Sequence, residues 1–144
     1  MIDFVYNTDF QIENHAAFSK WLVDVAAAEN CSIHDLVFSF VSDRELLAMN
    51  KKYLKHNYFT DVITFGELEG GKISGNIAIS VDRVVDNSKT YAVSFDEELK
   101  RVMVHGLLHI IGYNDKTEKE KLTMSQKETD LSLIHISEPT RRTI

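Results

Sequence analysis

The chain has 144 residues, of which 44% are hydrophobic and 26% charged, and a formal net charge of −6. This suits one ordinary globular domain and excludes a mainly disordered or collagen-like chain, as do only six glycines and one proline. One cysteine, Cys31, excludes an internal disulfide framework and a cysteine zinc cluster, and the acidic balance argues against a non-specific nucleic-acid binder.

No apolar run approaches the length of a membrane span, and the first residues have neither a basic start nor an apolar signal core. A cytoplasmic protein without membrane association is therefore expected.

Taken in chain order, Phe4 to Tyr6 is predicted as a short strand. Ile12 to Glu29 reads as a helix, with Phe18, Trp21, Leu22, Val25 and Ala26 at helical spacing. Leu36 to Val41 is an apolar strand. It ends at Ser42-Asp43-Arg44-Glu45, a capping-box pattern that opens a helix from about Asp43 to Leu54. Phe59 to Phe65 alternates and is rich in β-formers, so it reads as a strand. A turn over 69–72 leads to a further strand, Ile73 to Ser80, antiparallel to it. Val81 to Tyr91 is predicted helical, with Val84, Val85 and Ser88 facing inward. Ser94 to Glu97 repeats the capping pattern and opens a helix over 95–111. A last, strongly charged helix runs from about Lys116 to Thr129. No repeat or linker divides residues 1–130, so the expected fold is one α+β domain, a small mixed four-stranded sheet packed by helices.

Composition changes abruptly after Asp130. Residues 131–144 hold the only proline and two of the five arginines, and they resemble translated sequencing-adapter read-through. They are expected to be a non-native or disordered tail, and His135 within them is set aside.

The helix over 95–111 carries the chemistry. From Val102 onward it is apolar nearly all round, which predicts burial at the centre of the domain. His105 and His109 are the strongly polar exceptions. Four residues apart, they share one face, and buried imidazoles need partners. Gly112 can end the helix in a left-handed conformation, after which Asp115 can fold back over both rings. The pattern His105-x3-His109-x2-Gly112-x2-Asp115 has the spacing of the metzincin zinc motif. Two histidines and a carboxylate form a plausible open set for Zn²⁺, one per chain. The glutamate that zincins carry after the first histidine as general base is Gly106 here, which speaks against peptide hydrolysis by that route. Glu98 lies on the His105 stripe but about 10 Å down the axis, too far to replace it.

His105-Gly-Leu-Leu-His109-Ile-Ile-Gly112-Tyr113-Asn114-Asp115 closely resembles the signature of the YbeY family of bacterial metal-dependent endoribonucleases, His-Gly-x-Leu-His-Leu-x-Gly-Tyr-Asp-His. Met49-Asn50-x2-Tyr53, Thr60 to Phe65, Ser74 to Ser80, and Met124 with Glu128 match further blocks of that family in order, over about residues 35–130. The resemblance implies a zincin-like metal helix and a single-strand-specific, zinc-dependent endoribonuclease. It also implies a role in 16S rRNA 3′-end maturation and ribosome quality control, with rRNA and the small ribosomal subunit as partners.

Some departures from the family pattern bear on the chemistry. Asp115 stands for its third histidine, Leu54 for an arginine implied to contact phosphate, and Asn76 for an aspartate. Lys51, Lys52, Lys55 and His56 could supply the missing positive charge for RNA, or form a solvated helix end. The expected mechanism is metal-assisted phosphodiester hydrolysis, in which the ion acidifies a water and polarises a phosphoryl oxygen. Asp61 is the candidate proton acceptor, or else a structural cap or an orienting partner for a ligand imidazole. Two other readings stand beside this one: a ribosome-associated RNA-binding assembly factor with a structural metal, and another metal-dependent hydrolase on the same scaffold.

Overall fold

The structure is a computed structural model that describes residues 1–133. Residues 134–144, with His135 and most of the segment set aside as a tail, lie outside the described residues. Nine elements follow in the expected order: β1 (Ile2–Tyr6), α1 (His15–Ala28), β2 (Ser32–Val41), α2 (Asp43–Leu54), β3 (Val62–Glu69), β4 (Lys72–Ser80), α3 (Val81–Thr90), α4 (Phe95–Ile111) and α5 (Glu118–Ser132). The strands form one mixed sheet in the order β1-β2-β4-β3. β1, β2 and β4 run parallel, and β3 pairs antiparallel with β4, as expected of a hairpin.

Alternation along the strands divides the sheet between two cores. Phe38 and Phe40 of β2 and Ile77 and Ile79 of β4 join Trp21 and Leu22 of α1 and most of α4 in the larger one. Val41, Ala78 and Ile63 turn to the other side, under Leu46 of α2. α4 is buried on almost every side and packs against β3, β4, α3 and α5. It is the central element that its apolar periphery predicts.

Local chemistry moves several boundaries. α1 starts at His15 because the Asn14 side chain caps it, accepting from the amide of Ala17; Ile12 is buried in the core ahead of the helix. β3 begins at Val62 rather than Phe59, because buried Asn50 holds the Tyr58 carbonyl and draws the chain before Asp61 away from β4. Ser42 and Ser94 cap as predicted, each accepting from the amide three residues on. The return bond of a capping box forms at neither: Glu45 accepts from the Asn7 side chain and Glu97 from the Ser94 hydroxyl. Val84 and Ser88 of α3 are buried, whereas Val85 is only half-buried.

The last helix differs most. It starts after Thr117, which forms a complete capping box with Glu120, and it continues to Ser132. Met124, Glu128 and Leu131 form its buried stripe, so the helix runs two residues into the segment that composition had set aside. A chain ending at Asp130 is expected to lose about 2 kcal/mol or more of stability with the buried Leu131. A chain ending at Leu133 should melt with the full-length protein. Thermal melts of the two truncations check this.

Candidate metal centre

α4 places His105 and His109 one turn apart on the stripe that the sheet leaves uncovered. Gly112, at φ 123°, ends the helix, and its amide and that of Tyr113 close onto Leu108. The reversal is tied down from outside. Glu29, at the end of α1, accepts from the Tyr113 hydroxyl and pairs with Lys127 of α5 at 2.9 Å. The connection 112–117 therefore crosses above both imidazoles.

Asp115 in that connection points between them. Its Oδ2 lies 3.4 Å from Nε2 of His105 and 3.4 Å from Nε2 of His109, and the two nitrogens are 3.0 Å apart. Tetrahedral zinc with bonds near 2.0–2.2 Å has ligand–ligand edges of about 3.3–3.6 Å, so one ion fits this triangle with little adjustment. Among the described residues, His105, His109 and Asp115 are the group whose donor atoms converge closely enough to hold a metal ion. Asp115 is not a helix cap, because Thr117 fills that role.

His105 Nδ1 is hydrogen-bonded to Glu128 of α5, and Arg101 donates to the other oxygen of the same carboxylate at 3.0 Å. A carboxylate on the distal nitrogen fixes the tautomer and turns Nε2 toward the ion. Burial works against charge on His105. Glu128, Asp61 and Asp115 outweigh it, and its pKa stands above the ordinary histidine value. In sequence Glu128 stands out only as part of a Met-x3-Glu match. The signal that could have given it a role is its place in a buried stripe, with Met124 and Leu131, on an otherwise charged helix. Replacing Glu128 by Gln is expected to weaken metal affinity about 10–100-fold, read by competition with a chelating dye.

The cleft in front of this group has a volume of about 590 Å³ and is lined by His105, His109 and Asp115 together with Asn50, Leu54, His56, Tyr58 and Asp61, among others. Asp61 accepts from the Asn87 side chain, and burial pushes its pKa up against the pull of His105. Among the described residues it makes no hydrogen bond to either imidazole; Glu128 takes the orienting role that sequence had left open to Asp61. Of the four candidate RNA contacts, His56 lines the cleft, while Lys51, Lys52 and Lys55 stand exposed on the last turn and cap of α2 beside it. Leu54 is in the cleft wall. Asn76 is exposed on β4 and lies outside that lining.

Gly106 accounts for the absent zincin glutamate. A Cβ there would sit 2.8 Å from Cγ2 of Ile77 and 3.2 Å from Oγ1 of Thr64. The residue after the first histidine faces the sheet, and α4 lies so close to β4 that a Cβ crowds Ile77 and a longer side chain has no room.

Comparison with known proteins bears on what this geometry serves. The family model described as Endoribonuclease YbeY matches residues 4–133. A protein named Endoribonuclease YbeY from Karelsulcia muelleri is 47% identical over 128 residues, covering 89% of this chain and 91% of the relative. Its namesake from Flavobacterium johnsoniae is 41% identical over 139 residues, covering 96% and 100%. Among solved structures, the solution structure of TM1509 from Thermotoga maritima shares the fold, with a TM-score of 0.64 at 22% identity over 99% of this chain and 100% of that one.

Proposed function

Because the chain belongs to the Endoribonuclease YbeY family, and is on that ground a nuclease, we propose that it is a zinc-dependent hydrolase of single-stranded RNA, with His105, His109 and Asp115 as its metal ligands. The observation that carries this reading is the convergence of those three donor atoms at 3.0–3.4 Å on the wall of an open cleft. A zinc ion held there supplies Lewis acidity toward a phosphoryl oxygen and acidifies water.

The remaining roles fall to the chain. Glu128 holds His105 in the ligating tautomer. Asp61, on the cleft wall and steadied by Asn87, accepts the proton of the attacking water. Lys51, Lys52 and Lys55 follow the RNA backbone. Family membership further supports a substrate in rRNA: action at the 3′ end of 16S rRNA and in ribosome quality control, in the cytoplasm, with the small subunit as partner. No helix among the described residues is long and apolar enough to cross a membrane.

The test is cleavage of single-stranded RNA, duplex RNA and a peptide set by the same preparation, with and without chelator. Chelator-sensitive cutting confined to single-stranded RNA, restored by zinc, is the expected result. Peptide hydrolysis would favour another hydrolase on this scaffold. Ribosome binding without cleavage would favour an assembly factor with a structural metal.

A further inference from the structure

One edge of the cleft is built from the segment between α2 and β3, and that segment exposes large apolar side chains. Tyr53, Leu54, Tyr58 and Phe59 are 40–56% exposed, all within seven residues. Exposed apolar groups gathered in this way beside a cleft mark a contact surface. The segment is held in place. Asn50, itself buried, accepts the His56 amide on its carbonyl at 3.1 Å and donates its side chain to the Tyr58 carbonyl at 2.8 Å. Between these anchors Lys55 takes a left-handed conformation, φ 57°, that reverses the chain.

The reversal lays two rings together. His56 and Tyr58 stack with centroids 5.1 Å apart and planes inclined by 20°, and the Tyr58 hydroxyl lies 3.0 Å from Nδ1 of His56. Both line the cleft that holds the candidate metal ligands. Their neighbours already have partners. Tyr53 packs edge-on against Phe65, and Arg83 covers a face of Phe59. Apart from the imidazoles of His105 and His109, the His56–Tyr58 pair is the aromatic surface that lines the cleft among the described residues.

We propose that the His56–Tyr58 pair is a stacking platform for one unpaired nucleobase next to the phosphate that enters the cleft. This deepens the nuclease reading and rests on it. A groove that follows a nucleic-acid backbone with positive charge while bases stack on aromatic side chains is how single strands are held without sequence readout. Lys51, Lys52 and Lys55 provide that charge on the same turn of chain, in a protein whose net charge is −6. A base within a duplex cannot leave its stack at no cost, so the platform selects single strands. Leu54, exposed in the cleft wall, extends the same apolar surface.

Binding is measured apart from cleavage, with the full chain in chelator and a fluorescent single-stranded RNA hexamer. Tyr58→Ala should weaken binding roughly 5–150-fold, the effect of losing one stacked base. Tyr58→Trp should restore it. Hexamers carrying one abasic position, scanned along the strand, should bind the parent less well at one position and the Tyr58→Ala variant equally well at all. Melting curves show that each variant is folded. The platform is overturned if folded Tyr58→Ala binds like the parent, or if it loses affinity equally for intact and abasic strands. Failure of the zinc-restored protein to cut RNA would sink the nuclease reading while leaving this binding result intact.

Discussion

Asp115→Ala is expected to release the metal and abolish RNA cleavage, with little change in the melting temperature of the metal-free protein. The Asp115 carboxylate is 39% exposed and 3.4 Å from both Nε2 atoms. Removing it leaves two imidazoles, which cannot close a site, and metal affinity collapses. If Asp115 instead capped the start of the last helix, its loss would cost about 0.5–2 kcal/mol with metal content intact. Thr117 and Glu120 supply that cap, so the stability effect should be near zero. Asp115→His should keep the metal, since imidazole also ligates zinc and the chain reversal at Gly112 is untouched. Elemental analysis of the two variants beside the parent decides the matter. Full metal occupancy in Asp115→Ala would remove Asp115 from the ligand set.

The second large effect is expected at Gly106. Gly106→Glu would write the zincin His-Glu-x-x-His motif into α4, yet it should yield an unfolded or insoluble protein and no peptidase. The first atom of the new side chain would meet Ile77 at 2.8 Å, in a core where Ile77 is fully buried. The carboxylate would follow it into the contact between α4 and the sheet. Overpacking costs about 1–3 kcal/mol, and a buried unpaired charge costs more. Gly106→Ala is the graded control. Its overpacking is offset by roughly 1 kcal/mol of helix propensity, so it should fold with a modestly lower melting temperature. A soluble Gly106→Glu protein melting near the parent would show that α4 can move away from β4, and that position 106 is not closed by packing.

Much of this was legible before any coordinates, because the signals are local. Helical spacing and serine caps place α2 and α4, alternation places β3, and a charged turn between two β-rich runs makes the β3–β4 hairpin. The metal triad is local in the same sense. His105 and His109 are one turn apart by helix geometry alone, and a glycine three residues on lets Asp115 return.

What lay beyond reach depends on how separate elements dock. Glu128 lies 23 residues from His105, and only the packing of α5 against α4 brings its carboxylate to Nδ1. Asp61 stood in sequence as a proton acceptor, a structural cap or an orienting partner for an imidazole; the docking of α3 brings Asn87 against it, while Glu128 is the carboxylate bonded to His105. The end of α5 was misread because composition shifts after Asp130, while Leu131 is retained by a core assembled from α1, α4 and the sheet. The order β1-β2-β4-β3 was likewise invisible, since parallel pairing joins segments far apart in the chain. The sequence by itself determined the period of most elements, the serine caps of α2 and α4 and the spacing of the three candidate ligands, because backbone hydrogen bonds and helical pitch act within a few residues. The tertiary structure decided which side chain supports which candidate ligand and why position 106 is closed to a long side chain, because these follow from the distance and register between elements that no local interaction sets.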